Sequence, residues 1–233
     1  MKRSKLASFL VLFVLIPATL YLGTQLKGRW FYLTATLIAI ETMVPFFLLF
    51  ETRRPQAREI VTIAVMCALA VISRMIILIP FFKPTTAIIM LTGIALGPEA
   101  GFLTGAITAL ASNFFFSQGP WTAWQMLGYG FGGFLAGLVF HNRPRWCKPW
   151  MLTVFGFFAI VLVVGPLLDC SSIFTMASRI SKKYVISVFA AGFPNNVVHG
   201  LACGTTMALF SKPLLYKLNR LRSKYGMLEM QDS

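Results

Sequence analysis

The chain has 233 residues, of which 57% are hydrophobic and only 12% charged, too few charges to cover the surface of a water-soluble domain of that length. Its net charge of +14 would suit a nucleic-acid partner, but the Lys and Arg residues fall almost wholly in short segments between apolar runs, which is the charge pattern of a membrane protein. Those runs are continuous and lack the two-residue alternation of lipid-facing strands, so a transmembrane β-barrel is excluded and helices remain.

In chain order, helices are expected over 6–25, 30–50, 59–81, 86–97, 100–117, 122–140, 151–173 and 185–211, giving an all-α integral membrane protein of eight crossings. The first run follows Met1-Lys2-Arg3-Ser4-Lys5, as the apolar part of a secretory signal would. No small-residue cleavage site closes it, and Lys27 and Arg29 lead straight into a second run, so it reads as a retained helix. The charged linker 51–58 then separates this N-terminal pair, residues 1–50, from a more patterned six-helix core with a basic tail, residues 59–226.

Within the core, the 86–97 run lies between Pro84 and Gly97-Pro98 and is short for a full crossing. It suits either a span or a tilted half-span buried among its neighbours, with Pro98 and Glu99 opening the next helix. Glycines recur at four-residue spacing, at Gly97, Gly101 and Gly105, at Gly128 and Gly132, and at Gly133 and Gly137, which allows helix backbones to approach closely. The segment from Lys212 to Gly226 is basic and amphipathic and suits the lipid surface or a partner. With the N-terminus in the cytoplasm, fourteen Lys and Arg residues fall inside and six outside, with Arg74 left within a helix; both termini are therefore expected to be cytoplasmic.

The chain carries no H-E-x-x-H, G-x-S-x-G, S-x-x-K or P-loop pattern, so the usual routes to intramembrane hydrolysis or ATP use are missing and the chain could not by itself energise transport. Cys67, Cys147, Cys170 and Cys203 have neither CxxC nor CxxH spacing and read as small packing residues, with no metal expected. Ionisable residues inside the apolar runs are Glu41, Arg74, Asp169 and His199, each costly in hydrocarbon and so a candidate for function or for pairing. Asp169 is the candidate partner of Arg74, and Glu41 is expected to serve packing of the N-terminal pair against the core.

Two polar clusters lie at the predicted external ends of core helices. The first, from Asn113 to Gln125, contains Gln118, Trp121 and Trp124 around a Gly-Pro turn; the second, from Gly192 to His199, contains Asn195 and Asn196. Amides that donate and accept, beside indole faces that stack, suit a planar or ring-bearing ligand, and Lys83 in the neighbouring loop completes an outward-facing pocket. An interfacial aromatic belt accounts equally well for the first cluster, and a satisfied structural histidine for His199.

Residues 57–226 resemble the substrate-binding S components of energy-coupling factor (ECF) transporters. The resemblance rests on Ala64-x-x-x-Ala68, on Leu91-Thr-Gly-Ile-Ala-Leu-Gly-Pro-Glu-Ala-Gly101, and on Asn113-Phe-Phe-Phe-Ser-Gln-Gly-Pro-Trp-Thr-Ala-Trp-Gln-Met126. It implies a six-helix core that binds a vitamin at its external end and docks through Ala64 and Ala68 onto a membrane-embedded T subunit, which two cytoplasmic ATPases drive in a prokaryotic cell membrane. The Gln118–Gln125 segment is most similar to the cobalamin-specific branch, which implies cobalamin or a related corrinoid as substrate. Thiamine, riboflavin, folate and a queuosine precursor are the alternatives within the class. Ligand contacts are expected from Lys83, Asn113, Gln118, Trp121, Trp124, Gln125, Asn195, Asn196 and His199. The N-terminal pair departs from the six-helix pattern. A membrane enzyme using His199 and Asp169 on a lipid, and a non-catalytic scaffold, are the readings from other classes.

Overall fold

A computed structural model describes residues 10–25, 29–53, 55–76, 82–176 and 181–225. Residues 6–9 of the expected first helix, 77–81 of the third, Arg54 of the linker, and the charged residues Lys27, Arg179 and Lys2 to Lys5 lie outside the described residues, as does Gly226.

Every regular element among the described residues is helical. A π-helical turn, Val11–Leu15, leads into α1, Ile16–Gln25, and α2 follows at Arg29–Thr52. The core begins with α3, Ala57–Ile76, and continues through α4, Thr85–Leu96, α5, Pro98–Phe116, and α6, Trp121–Phe140. A short 3-10 turn, Pro144–Trp146, precedes α7, Pro149–Ala159, which a π-helical turn at Ile160–Val164 joins to α8, Gly165–Met176. The last helix, α9, is Lys182–Tyr225. Leu33–Thr52, Trp121–Phe140, Pro149–Phe174 and Lys182–Tyr225 are each long and apolar enough to cross a membrane.

Helix α4 forms the axis of the core. All twelve of its residues are buried, and α3, α5, α6 and α9 pack around it. At a rise of 1.5 Å per residue it is about 18 Å long, well short of the ~30 Å hydrocarbon thickness, and it is enclosed by protein throughout. Gly97 ends it with φ of +104°, a conformation that glycine adopts without a Cβ clash, and Pro98 starts α5 at the position where a missing N–H costs nothing.

A helix end leaves carbonyls without intrahelical partners, and three distant basic residues meet those of α4. His141 Nδ1 donates to the Ile94 carbonyl at 3.0 Å, Arg222 Nη1 to Ala95 at 3.4 Å and Arg53 Nη2 to Leu96 at 3.3 Å. Arg53 also pairs with Glu59 at 2.8 Å and Glu99 at 3.0 Å, so the segment joining the N-terminal pair to the core is tied to α3 and α5 at once. Burial pushes the His141 imidazole below its ordinary value of 6.5, and the cationic Arg222 and Arg53 push the same way. The unfolded chain therefore takes up this proton before the folded one does, and stability falls as the pH drops through the usual histidine range. Thermal unfolding in detergent is expected to lose a few degrees as the pH falls below about 6.5, and His141→Gln, which keeps a donor, to remove that part of the dependence.

The glycine spacing serves the contact between α4, α5 and α6. A Cβ on Gly101 would lie 2.5 Å from the Gly133 carbonyl oxygen, one on Gly105 2.5 Å from the Gly130 nitrogen, and one on Gly137 2.5 Å from Pro98 Cα. These are main-chain neighbours with nowhere to move, so the helices touch backbone to backbone.

The N-terminal pair lies against one flank of this core. Helix α2 packs on α5, α6 and α8, with Ala39 and Met43 set among Phe102, Ala106, Ala123 and Leu127, and Phe46 stacked on Phe102 at 4.1 Å between ring centroids. Glu41 is buried within the pair and accepts a hydrogen bond from Thr19 at 2.8 Å, so its nearest described partner belongs to the pair itself. Helix α3 packs on α4 and α5 and leaves Val61, Ala64, Val65 and Ala68 exposed along one side.

The basic tail differs from expectation. It is no separate surface helix: α9 runs without interruption past the expected end at 211, and Leu215 and Leu218 are buried against the protein's own core. Pro194 and Pro213 sit inside the helix, each missing one backbone donor, a loss that membrane helices tolerate where neighbouring groups re-satisfy the freed carbonyl.

Candidate functional site

A cavity of about 630 Å³ opens at one end of the bundle, opposite the end that carries Arg53, His141 and Arg222. Arg74 from α3, Lys83 from the loop before α4, and Phe116 at the end of α5 line one side. Gln125 and Tyr129 of α6 line the next, with Leu168, Asp169 and Ser172 of α8 beyond them. Helix α9 closes the ring with Tyr184, Val188, Ala191 and Asn195 along one stripe and with Gly192, Asn196 and His199 beside it.

Helices α8 and α9 meet here by mutual accommodation of a polar side chain on a glycine. A Cβ on Gly165 would lie 2.6 Å from Asn196 Oδ1, and one on Gly192 2.5 Å from Asp169 Oδ2. With both glycines bare, Asn196 Nδ2 donates to Asp169 Oδ2 at 2.8 Å. Gly165 directly follows the π-helical turn, a distortion that rotates the second half of the α7–α8 rod relative to the first. Gly192→Ala is therefore expected to displace the Asp169 carboxylate and weaken ligand binding about tenfold in a binding titration.

A network beneath the cavity floor fixes its other wall. Arg74 Nη1 donates to Ser112 Oγ and, at 3.1 Å, to Asn113 Oδ1, while its guanidinium lies 4.8 Å from the centroid of the Phe116 ring and 6.0 Å from that of Tyr129. Asn113 passes its own donor to Gln125 Oε1 at 2.8 Å and to Thr122 Oγ1 at 3.1 Å. His199 Nε2 and Thr86 Oγ1 are 2.9 Å apart, and the imidazole meets Tyr129 edge-on at 6.3 Å between centroids.

Of the nine expected ligand contacts, Lys83, Gln125, Asn195, Asn196 and His199 line the cavity. The other four, Asn113, Gln118, Trp121 and Trp124, are not among the residues that line it. Asn113 is buried beneath Gln125 and orients it. Gln118 staples the α5–α6 turn, donating to the Leu110 carbonyl at 3.1 Å and accepting from Thr122 at 2.9 Å. Trp121 covers Gly119, and Trp124 stacks on Phe174 at 5.3 Å with its faces parallel. Arg74 and Asp169 share the cavity without an ion pair within 4 Å, since Arg74 is engaged by α5 and Asp169 by Asn196.

Sequence reasoning did not reach Phe116, Tyr129 and Tyr184 as lining residues. Tyr129 lies one helical turn from Gln125, and Tyr184, Val188, Ala191, Asn195 and His199 step along α9 at intervals of three and four, so a helical projection from the expected contacts contains that signal.

The geometry is that of a multi-pass membrane protein with a ligand-sized polar cavity at one end of its bundle. Residues 55–217 match the model of the family described as ECF-type riboflavin transporter, S component, and the chain belongs to that family. It is accordingly the substrate-binding subunit of a vitamin transporter and not an enzyme, and S components work with membrane-embedded T subunits and ATPase subunits. No curated protein and no solved structure matches the chain.

Proposed function

We propose that this subunit captures a ring-bearing vitamin in the cavity between α3, α6, α8 and α9, with the cavity end facing outside and both termini in the cytoplasm. The observation that carries this reading is the combination of aromatic edges, Phe116, Tyr129 and Tyr184, with the amides of Gln125, Asn195 and Asn196 around about 630 Å³. That volume lies in the range of sites that enclose a drug-sized molecule. Riboflavin, the vitamin in the family's description, fits such a space as a compact planar ring system.

Cobalamin is the second reading, favoured by the Gln118–Gln125 segment and by the amide-bearing rim, since corrins carry many side-chain amides. A corrin is several times larger than a flavin, so it would seat one edge in the cavity and leave the rest above the rim. Equilibrium binding of riboflavin and of cobalamin to the purified chain in detergent tests both. Tight binding of either, weakened tenfold or more by Tyr129→Ala, is the expected result; binding of neither overturns the reading.

The exposed Ala64 and Ala68 face of α3 is proposed to dock on the T subunit, whose two ATPase partners supply the energy. The N-terminal pair, residues 1–50, is proposed to brace the core, residues 59–226, on its α5 and α6 flank, joined through the 51–58 linker, so that the α3 face stays open for docking.

A further inference from the structure

We infer that Asn113 is a positioning residue for the substrate: it turns the Gln125 amide so that its NH2 group, and not its oxygen, faces the cavity. The vitamin therefore presents a neutral hydrogen-bond acceptor to α6, a carbonyl oxygen or an unprotonated ring nitrogen. This rests on the reading of the cavity as the vitamin site and adds the polarity with which that site reads its substrate.

The two ends of an amide side chain are nearly alike in shape, so their neighbours decide which is oxygen and which is nitrogen. A guanidinium donates and never accepts, so the end of Asn113 that meets Arg74 Nη1 at 3.1 Å is Oδ1. The other end is then Nδ2, whose two hydrogens go to Thr122 Oγ1 at 3.1 Å and to Gln125 Oε1 at 2.8 Å. The Thr122 hydroxyl is fully committed, since it also accepts from the Gly119 N–H at 3.2 Å and gives its own hydrogen to Gln118 Oε1 at 2.9 Å. Asn113 is only 1% exposed, so water does not replace these partners. Turning the Gln125 amide over would set two NH2 groups against each other with no acceptor between them. Polarity fixed at Arg74 thus passes through Asn113 to a residue on the cavity wall. Gln125 is held by its oxygen, and its Nε2 donates to no acceptor among the described residues. The ring carbonyls of riboflavin and the amide carbonyls of a corrin both supply the acceptor that this donor calls for.

Equilibrium binding of riboflavin and of cobalamin to purified variants in detergent tests this, read on whichever vitamin the unaltered chain binds. Asn113→Asp keeps an oxygen against Arg74 and removes the Nδ2 donor, so Gln125 turns its NH2 group toward the new carboxylate and its oxygen toward the ligand. Binding is expected to weaken at least ~10-fold while the thermal midpoint stays within a few degrees of the original. In a Gln125→Leu background the same change is expected to alter affinity by less than about twofold, because no amide is left to turn. A merely structural role for Asn113 would give the full loss in both backgrounds. Gln125→Glu still accepts from Asn113 but puts an oxygen where the donor was; it is also expected to bind ~10-fold more weakly, and it carries the test if Asn113→Asp does not fold. Affinity within about twofold of the original in either variant, or an Asn113→Asp loss undiminished by Gln125→Leu, overturns the relay and leaves the vitamin cavity standing. If the unaltered chain binds neither vitamin, the cavity reading falls, and this inference with it.

Discussion

Gly133→Ala is expected to prevent the accumulation of folded protein. The added Cβ would lie 2.6 Å from the Gly101 carbonyl carbon and 2.8 Å from Ile89 Cγ2, so α6 would have to part from both α5 and α4. Overpacking that flexible side chains absorb costs ~1–3 kcal/mol, and a clash between two main chains leaves no rotamer to absorb it, so the upper end or beyond is expected. Gly128→Ala on the same helix meets the Leu168 side chain at 3.2 Å and should cost far less. Size-exclusion profiles and thermal unfolding of the two variants in detergent check this. A Gly133→Ala protein with a midpoint close to that of the unaltered chain would mean that α5 and α6 are not seated backbone to backbone.

Ala68→Trp is expected to separate capture from transport. The residue faces away from the core on α3, next to the equally exposed Val65 and Leu69, and an indole there touches neither the cavity nor the α4 axis. Ligand binding by the isolated subunit should stay within about twofold of the original, while vitamin uptake in cells that supply the T and ATPase subunits should fall at least ~10-fold, since close helix approach depends on small residues. Uptake that persists in Ala68→Trp and Ala64→Trp alike would move the docking surface elsewhere.

The membrane class, the all-helical fold and the four-residue glycine contacts were legible in the sequence, because hydropathy and small-residue spacing are local signals. What escaped was long-range. Trp124 carries the right chemistry for a ring-bearing ligand, yet it faces Phe174, on a helix fifty residues downstream, and nothing local in the sequence records that stack. Arg74 and Asp169 are two opposite charges in one apolar protein, and charge balance alone suggests a pair; the partners actually chosen, Asn113 and Asn196, depend on how α5 and α9 rotate about their axes. The end of α9 was misplaced for a different reason. The basic, amphipathic segment from Lys212 to Gly226 read as one suited to the lipid surface or a partner, whereas Leu215 and Leu218 find apolar neighbours in the core and carry the helix onward.

That unbroken helix has a mechanical consequence. Forty-four residues at 1.5 Å each make a rod of about 66 Å, roughly twice the hydrocarbon thickness. One end bears Asn195, Asn196 and His199 on the cavity wall, and the other places Arg222 on the Ala95 carbonyl and, at 3.2 Å, on Asn142. One continuous helix therefore supplies both a wall of the cavity and a cap on the carbonyl end of α4, and Pro194 and Pro213, each lacking a backbone donor, are the two points along it where bending costs least.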